Sequence, residues 1–255
     1  GIHMDTLRIG IVGLGRLGRV HAENIACKIP GARLTAACTT RPETVEFARQ
    51  LGVTALYTNF NQMLSEAEMD AVAVISTSSE HCWQIAAALD AGKHVFSEKP
   101  LGVDLDQCLQ AQAAVERHPE LTFMLGFMRR YDPSYAYAKK QIDSGVIGTP
   151  YLVKATGLDP EAVVEDAIRF CKNSGGIFLD AGIHDIDLMR WFLGSEAEEV
   201  YALGATFKHP EFRQAGDDET GLAVFRFKNG GMGTIHVGRT CPYGYHVETE
   251  IVGTE

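Results

Sequence analysis

Long apolar runs are missing. No stretch of the 255 residues approaches the ~18 consecutive apolar positions of a membrane-spanning helix, so a transmembrane chain is not expected. Cysteine is sparse and scattered: Cys27, Cys38, Cys82, Cys108, Cys171 and Cys241 contain no CxxC pair. That spacing excludes a zinc cluster or a thioredoxin-like motif, and it reads as the reduced thiols of an intracellular, cytoplasmic protein. Positive charge is in deficit, with Lys plus Arg at 23 against Asp plus Glu at 33 and a formal net charge of −10. An electrostatic grip on nucleic acid or on an anionic membrane surface is therefore not expected, whereas a neutral small molecule is compatible. Internal repeats, low-complexity tracts and long linkers are also absent. What is present, 45% hydrophobic and 22% charged residues, is the composition of an ordinary folded protein, long enough for one and a half to two domains. Gly1, Ile2 and His3 ahead of Met4 read as a remnant of expression.

Two patterns follow one another along the chain. Up to about Phe127, the short apolar runs Leu7–Val12, Leu34–Cys38, Ala71–Ile75, His94–Phe96 and Thr122–Gly126 alternate with helical periodicity. Runs apolar on both faces with helices between them predict a parallel sheet covered on two sides. Beyond Arg129 a helical stretch around Ser134–Ser144 gives way to five segments, Tyr151–Thr156, Val200–Phe207, Gly221–Phe227, Met232–Val237 and Val247–Val252, expected as an antiparallel meander. Lys228-Asn229-Gly230-Gly231 supplies a hairpin turn. Ile183–Leu193 predicts a helix on that sheet with Gly194 as its terminator. The fold class is thus α/β: a Rossmann dinucleotide-binding domain over residues 5–127, then an α+β substrate-binding and oligomerisation domain over residues 128–255 with a mostly antiparallel open sheet. The chain ends where a strand has just run into a turn, and the second domain is expected to be C-terminally incomplete.

Gly13-Leu14-Gly15-Arg16-Leu17-Gly18 follows the first run and opens a helical stretch. In that context the first glycine permits the tight turn, the second lets the backbone approach a pyrophosphate, and the third allows close helix–strand contact. Where an acid is expected to bind the ribose of NAD, at the end of the second strand, stand Thr39, Thr40 and Arg41. Hydroxyls and a guanidinium suit a 2′-phosphate, which suggests NADP or both cofactors; alternatively Arg41 is a solvated loop residue. Glu98-Lys99-Pro100 ends the His94–Phe96 run at the edge where ligands of such sheets bind. Asp180 and His184 are four residues apart and share a face on a helical turn. An imidazole titrating near neutrality beside an orienting carboxylate suits removal of a hydroxyl proton. The bland alternatives are a helix cap and a core histidine. A metal at His184 with Asp185 or Asp187 lacks an evident third ligand, so no metal is expected. Arg129 and Arg130 fall at the domain junction, where Arg129 could bond a substrate oxygen.

Together, GLGRLG, SEKPLG, GFMRRYDPSY, SGVIGTP, GGIFLDAGIHDIDLMRW and YGYHVETEIVG resemble the Gfo/Idh/MocA family of nicotinamide-dependent sugar and polyol oxidoreductases, from Leu7 to Glu255. GFMRRYD with LDAGIHDID looks most like its inositol 2-dehydrogenase branch. The resemblance implies oxidation of a ring hydroxyl of myo- or scyllo-inositol to an inosose, with NAD or NADP as the cofactor. It puts the catalytic set at Lys99, Asp180 and His184: His184 as general base, Asp180 as its orienting partner, Lys99 as a bridge between substrate oxygen and cofactor ribose. It puts polyol contacts at Arg129, Asp159, Asp180, His184, Tyr243 and Tyr245. Candidate cofactor contacts are Gly13, Gly15, Arg16, Leu17, Gly18, Thr39, Thr40, Arg41, Thr77, His81, Glu98 and Lys99. Relatives often carry Asn at position 159, His at 157 and an acid at 39, which leaves the stereoisomer and the cofactor open. The family's habit of assembling through the exposed face of the second sheet implies a homotetramer. A family dehydrogenase for another sugar and a non-catalytic nucleotide sensor are the competing readings; an intact Lys99, Asp180 and His184 favours turnover.

Overall fold

In the computed structural model, residues 5–255 are described, and Gly1, Ile2 and His3, expected above as a remnant of expression, lie outside them. The chain divides into two compact units, the first ending at Gly126 and the second running from Phe127 to Glu255.

In the first unit, β1 (Leu7–Val12), β2 (Ala32–Cys38), β3 (Ala55–Tyr57), β4 (Ala71–Val74), β5 (His94–Glu98) and β6 (Phe123–Gly126) form one sheet in the order β3-β2-β1-β4-β5-β6. Every pairing in it is parallel. Between the strands run α1 (Arg16–Cys27), α2 (Pro42–Gln50), α3 (Phe60–Glu66), α4 (His81–Asp90) and α5 (Leu105–Arg117). The order reverses between β1 and β4, the switch point beside which this architecture binds ligands. Ile11, Leu14, Ala37 and Ala73 form the core on one side, and Met63, Val72, Val74, Ile85 and Leu89 the core on the other. This two-sided burial is why the central strands read as unbroken apolar runs. The edge strand β3, three half-buried residues, was not among the expected runs. The helix starts are chemically marked: Asn59 accepts from Gln62 N–H and Asp104 from Gln107 N–H.

In the second unit, α6 (Pro133–Asp143), β7 (Pro150–Leu158), α7 (Val164–Cys171), α8 (Ile183–Leu193), β8 (Ala197–Ala205), α9 (Glu211–Gln214), β9 (Thr220–Phe227), β10 (Met232–Gly238) and β11 (His246–Gly253) follow in turn. Their sheet runs β11-β7-β10-β9-β8. It is mostly antiparallel, but it is not the expected meander. β7 pairs parallel with β10 and antiparallel with β11, so the first strand of the unit lies between its last two. The hairpin at 228–231 and the stop at Gly194 (φ +62°) are as expected. Met189, Phe192 and Leu188 of α8 pack with Val153, Ile235 and Val237 into one core.

Asp104→Ala removes the α5 cap and is expected to cost about 1 kcal/mol, lowering the urea midpoint at unchanged m-value. An unchanged midpoint would show that the cap adds nothing.

Candidate active site

In the first unit, the glycines of the β1–α1 turn divide by what would meet an added Cβ. Gly13 adopts φ +92°, and its Cβ would stand 2.5 Å from the Ile75 carbonyl oxygen; the Cβ of Gly18 would collide with the Gly13 carbonyl. These two glycines are required by the chain's own packing. At Gly15 the one atom met within 4 Å is Arg41 Nη2, at 3.6 Å, so packing within the protein does not require a glycine there. The first turn of α1 has no acid and no side-chain cap, leaving its N–H groups and dipole end available to a pyrophosphate. Arg16 and Leu17 are exposed beside it.

Around this turn the candidate contacts separate. Thr39 is buried, and its Oγ1 lies 2.5 Å from Thr44 Oγ1, which in turn donates to the Arg41 carbonyl at 2.7 Å. The Thr39 hydroxyl thus shapes the loop and is not presented to a ligand, whereas Thr40, Arg41 and Thr77 are exposed. His81 is also corrected: it is buried, with Nδ1 2.7 Å from the Pro100 carbonyl and Nε2 2.9 Å from that of Ser76. It ties two loops together and presents no edge to a cofactor. At the end of β5, Glu98 Oε1 is 2.8 Å from His21 Nε2, and its Oε2 accepts the Lys99 N–H at 3.2 Å. Burial pushes the Glu98 carboxyl up, but the His21 contact and the Lys99 amide and ammonium outweigh it, leaving the group below the usual carboxylate range. The backbone that carries Lys99 is therefore held by an ionised, paired glutamate.

In the second unit, Asp180 lies in a π-helical turn, Phe178–Gly182, that runs straight into α8. Wide turns of this kind recur at functional sites. Two glycines seat it: Gly221 leaves space for the Phe178 ring, and Gly182 lies against Ile235 and Val237 of β10. Asp180 N–H donates to the Gly176 carbonyl at 2.9 Å, and Asp180 Oδ2 accepts from Arg239 Nη1 at 2.8 Å. His184 follows in the first turn of α8, half-buried, with its Nδ1 inside the protein.

Arg129 is fixed by Asp185, Nη1 to Oδ1 at 2.6 Å; Asp185 is fully buried. Burial pushes the Asp185 carboxyl up and Arg129 restores only part of the shift. A Cβ at Gly157 would come within 2.9 Å of Asp185 Oδ2, so the small residue there leaves room for this carboxylate. Tyr245 is exposed, and its phenol is pushed up by burial of its edge and by the Asp159 carboxylate, with Arg129 pulling the other way. The Tyr245 phenol thus lies within electrostatic reach of Asp159, Arg129 and Asp185. Tyr243 is instead 2.9 Å from His246 Nδ1.

Family comparison agrees with both units. The description "Oxidoreductase family, NAD-binding Rossmann fold" matches residues 7–127, and "GFO/IDH/MocA C-terminal domain" matches residues 135–255. The chain belongs to the Gfo/Idh/MocA oxidoreductase family. Its first unit is accordingly an NAD-binding Rossmann domain, and the open Gly15 turn fits that cofactor. Among Gfo/Idh/MocA relatives, scyllo-inositol 2-dehydrogenase (NAD(+)) of Bacillus subtilis is 37% identical over 254 residues, 98% of this chain and 72% of that protein. Myo-inositol 2-dehydrogenase of Thermotoga maritima is 37% identical over 253 residues, 98% of this chain and 73% of that one. Scyllo-inositol dehydrogenase from Lactobacillus casei, solved with bound NAD(H) and scyllo-inositol, superposes with a TM-score of 0.93 at 46% identity, over 98% of this chain and 74% of that one.

Sequence reasoning missed Arg239, Asp217 and His21. A signal for Arg239 existed: Ile235 and Val237 face inward on β10, and the same two-residue period puts position 239 on the buried side. A charge at such a position needs a partner, which points to an acid elsewhere in the unit.

The two kinds of glycine predict opposite defects. Gly18→Ala should lower Tm, whereas Gly15→Ala should leave it within about 2 °C and weaken NAD binding in calorimetric titration. Intact NAD affinity in Gly15→Ala would remove that turn from the cofactor site.

Proposed function

We propose that the protein is an inositol 2-dehydrogenase that oxidises a ring hydroxyl of myo- or scyllo-inositol to an inosose. The observation that carries the reading is the π-to-α turn bearing Asp180 and His184 in the same unit as Arg129, Asp159 and Tyr245, a set of donors and acceptors matched to vicinal hydroxyls. The relatives named for inositol support the same substrate class. Domain roles follow: residues 5–127 bind the dinucleotide, and residues 128–255 bind the polyol.

Bound NAD supplies the acceptor for the hydride leaving the ring carbon. His184 takes the hydroxyl proton; with Nδ1 buried, transfer falls to Nε2. Asp180, paired with Arg239, orients the imidazole and accepts from a neighbouring hydroxyl. Lys99 would donate to the reacting oxygen and to the ribose of a bound cofactor. Arg129 and Asp159 fix the rest of the ring, and Tyr243 and Tyr245 complete the contact set.

For the cofactor, we infer that NADP is accepted alongside NAD. With Thr39 turned inward, the exposed Arg41 beside Gly15 and the Thr40 hydroxyl are the groups suited to a 2′-phosphate. The reading carries a cytoplasmic location, where thiols stay reduced, and a homotetramer. For the latter, the outer face of the second sheet exposes Tyr201, Leu203, Leu222, Val224 and Met232 between the Glu199–Arg226 and Lys154–Glu250 pairs, an apolar patch suited to a second copy.

NADH and NADPH formation with a panel of inositols and aldoses tests this reading: reduction is expected with myo- or scyllo-inositol. Nucleotide binding with no reduction by any polyol would make the protein a sensor. His184→Ala should lower kcat by about 10²-fold or more with NAD affinity unchanged, and unaltered turnover would remove His184 from the mechanism. Arg41→Ala should raise KM for NADP more than for NAD; equal effects would count against the 2′-phosphate assignment.

A further inference from the structure

Arg239 lies just beyond β10 with its side chain 3% exposed, and its guanidinium bridges two acids. Nη1 donates to Asp180 Oδ2 at 2.8 Å, and Nη2 donates to Asp217 Oδ2 at 2.6 Å and approaches Ser174 Oγ at 3.4 Å. The fully buried Phe212 ring covers the group, 5.6 Å from its carbon to the ring centre. Burial pulls the guanidinium down and the two carboxylates more than restore it, so it stays charged.

Asp217 works at both ends of the same turn. Its Oδ1 accepts Ile177 N–H at 2.9 Å and Asp218 N–H at 2.8 Å. Ile177 is the residue that leads into the π-turn. One oxygen of Asp217 therefore fixes the backbone entering the turn, and the other fixes the guanidinium that holds the carboxylate on it.

Stability is a weak explanation for this arrangement, since burying paired charges returns little beyond the cost of desolvating them. A guanidinium with one N–H on each acid does something an apolar filler cannot: it fixes an oxygen of one carboxylate relative to the other. The Asp180 side chain stays 35% exposed while tied at Oδ2.

We infer that Arg239 and Asp217 are positioning residues for Asp180, the guanidinium fixing Oδ2 of that carboxylate and Asp217 fixing the guanidinium. The inference rests on the assignment of Asp180 to polyol oxidation. The test is Asp217→Asn, which keeps an oxygen for the Ile177 and Asp218 amides and loses the charge, together with Arg239→Lys and Arg239→Gln. For each, kcat per NAD-binding site, both KM values and the deuterium isotope effect on kcat with ring-deuterated inositol are measured. Asp217→Asn should lower kcat about tenfold, leave KM for NAD unchanged and raise the isotope effect, because the hydride step slows relative to product release. Arg239→Lys should retain more activity than Arg239→Gln. Wild-type kcat per site and an unchanged isotope effect in Asp217→Asn would overturn the inference, as would losses wholly explained by fewer NAD-binding sites. If Arg239 variants fail to fold, Asp217→Asn decides alone. Wild-type protein that oxidises no polyol would sink the parent assignment, and this one with it.

Discussion

Carboxylates withdrawn from water govern the second unit. Asp185, Asp187 and Asp217 are all buried, and burying a carboxyl group is costly unless a cation or another donor meets it. Each here has an arginine: Arg129 for Asp185, Arg130 for Asp187 through two bonds of 2.7 and 2.8 Å, Arg239 for Asp217. Two of these acids sit on α8, so the helix that carries His184 also anchors the Arg129–Arg130 segment. Trp191 lies 5.4 Å under the Arg130 guanidinium and closes that contact. One of these pairs thereby fixes Arg129, the guanidinium proposed to meet the polyol.

Glycine supplies the complementary constraint, close approach. The turn after β1 needs Gly13 and Gly18 for its own packing, while Gly221 lets the Phe178 ring of the π-turn settle on its sheet. Gly157 makes room for the Asp185 carboxylate in the same way. In the second unit the π-turn is placed by an absent side chain at Gly221 and held by the Arg239 charge pairs.

Much of this was legible in the sequence for a physical reason: local periodicity marks strands buried on two sides, and the glycine spacing acquires meaning from the strand before it and the helix after it. The α8 helix was legible in the same way, down to Gly194. The parallel β7–β10 pairing was not, because it joins segments separated by most of the second unit, and such pairing leaves no local pattern; proximity along the chain suggested a meander instead. β3 escaped because three half-buried residues carry too short a signal. Among site residues, Thr39 and His81 were misread because a polar side chain near a cofactor loop can be spent on the loop itself, and only the hydrogen bonds to Thr44, Ser76 and Pro100 reveal which.

The central claim is that this protein moves a hydride directly from a polyol ring carbon to nicotinamide. Inositol deuterated at the reacting carbon, incubated with NAD, tests it most directly. The account predicts that the deuterium is recovered on C4 of the reduced nicotinamide. Reduced cofactor without the label, or none formed in the presence of any inositol, would contradict it.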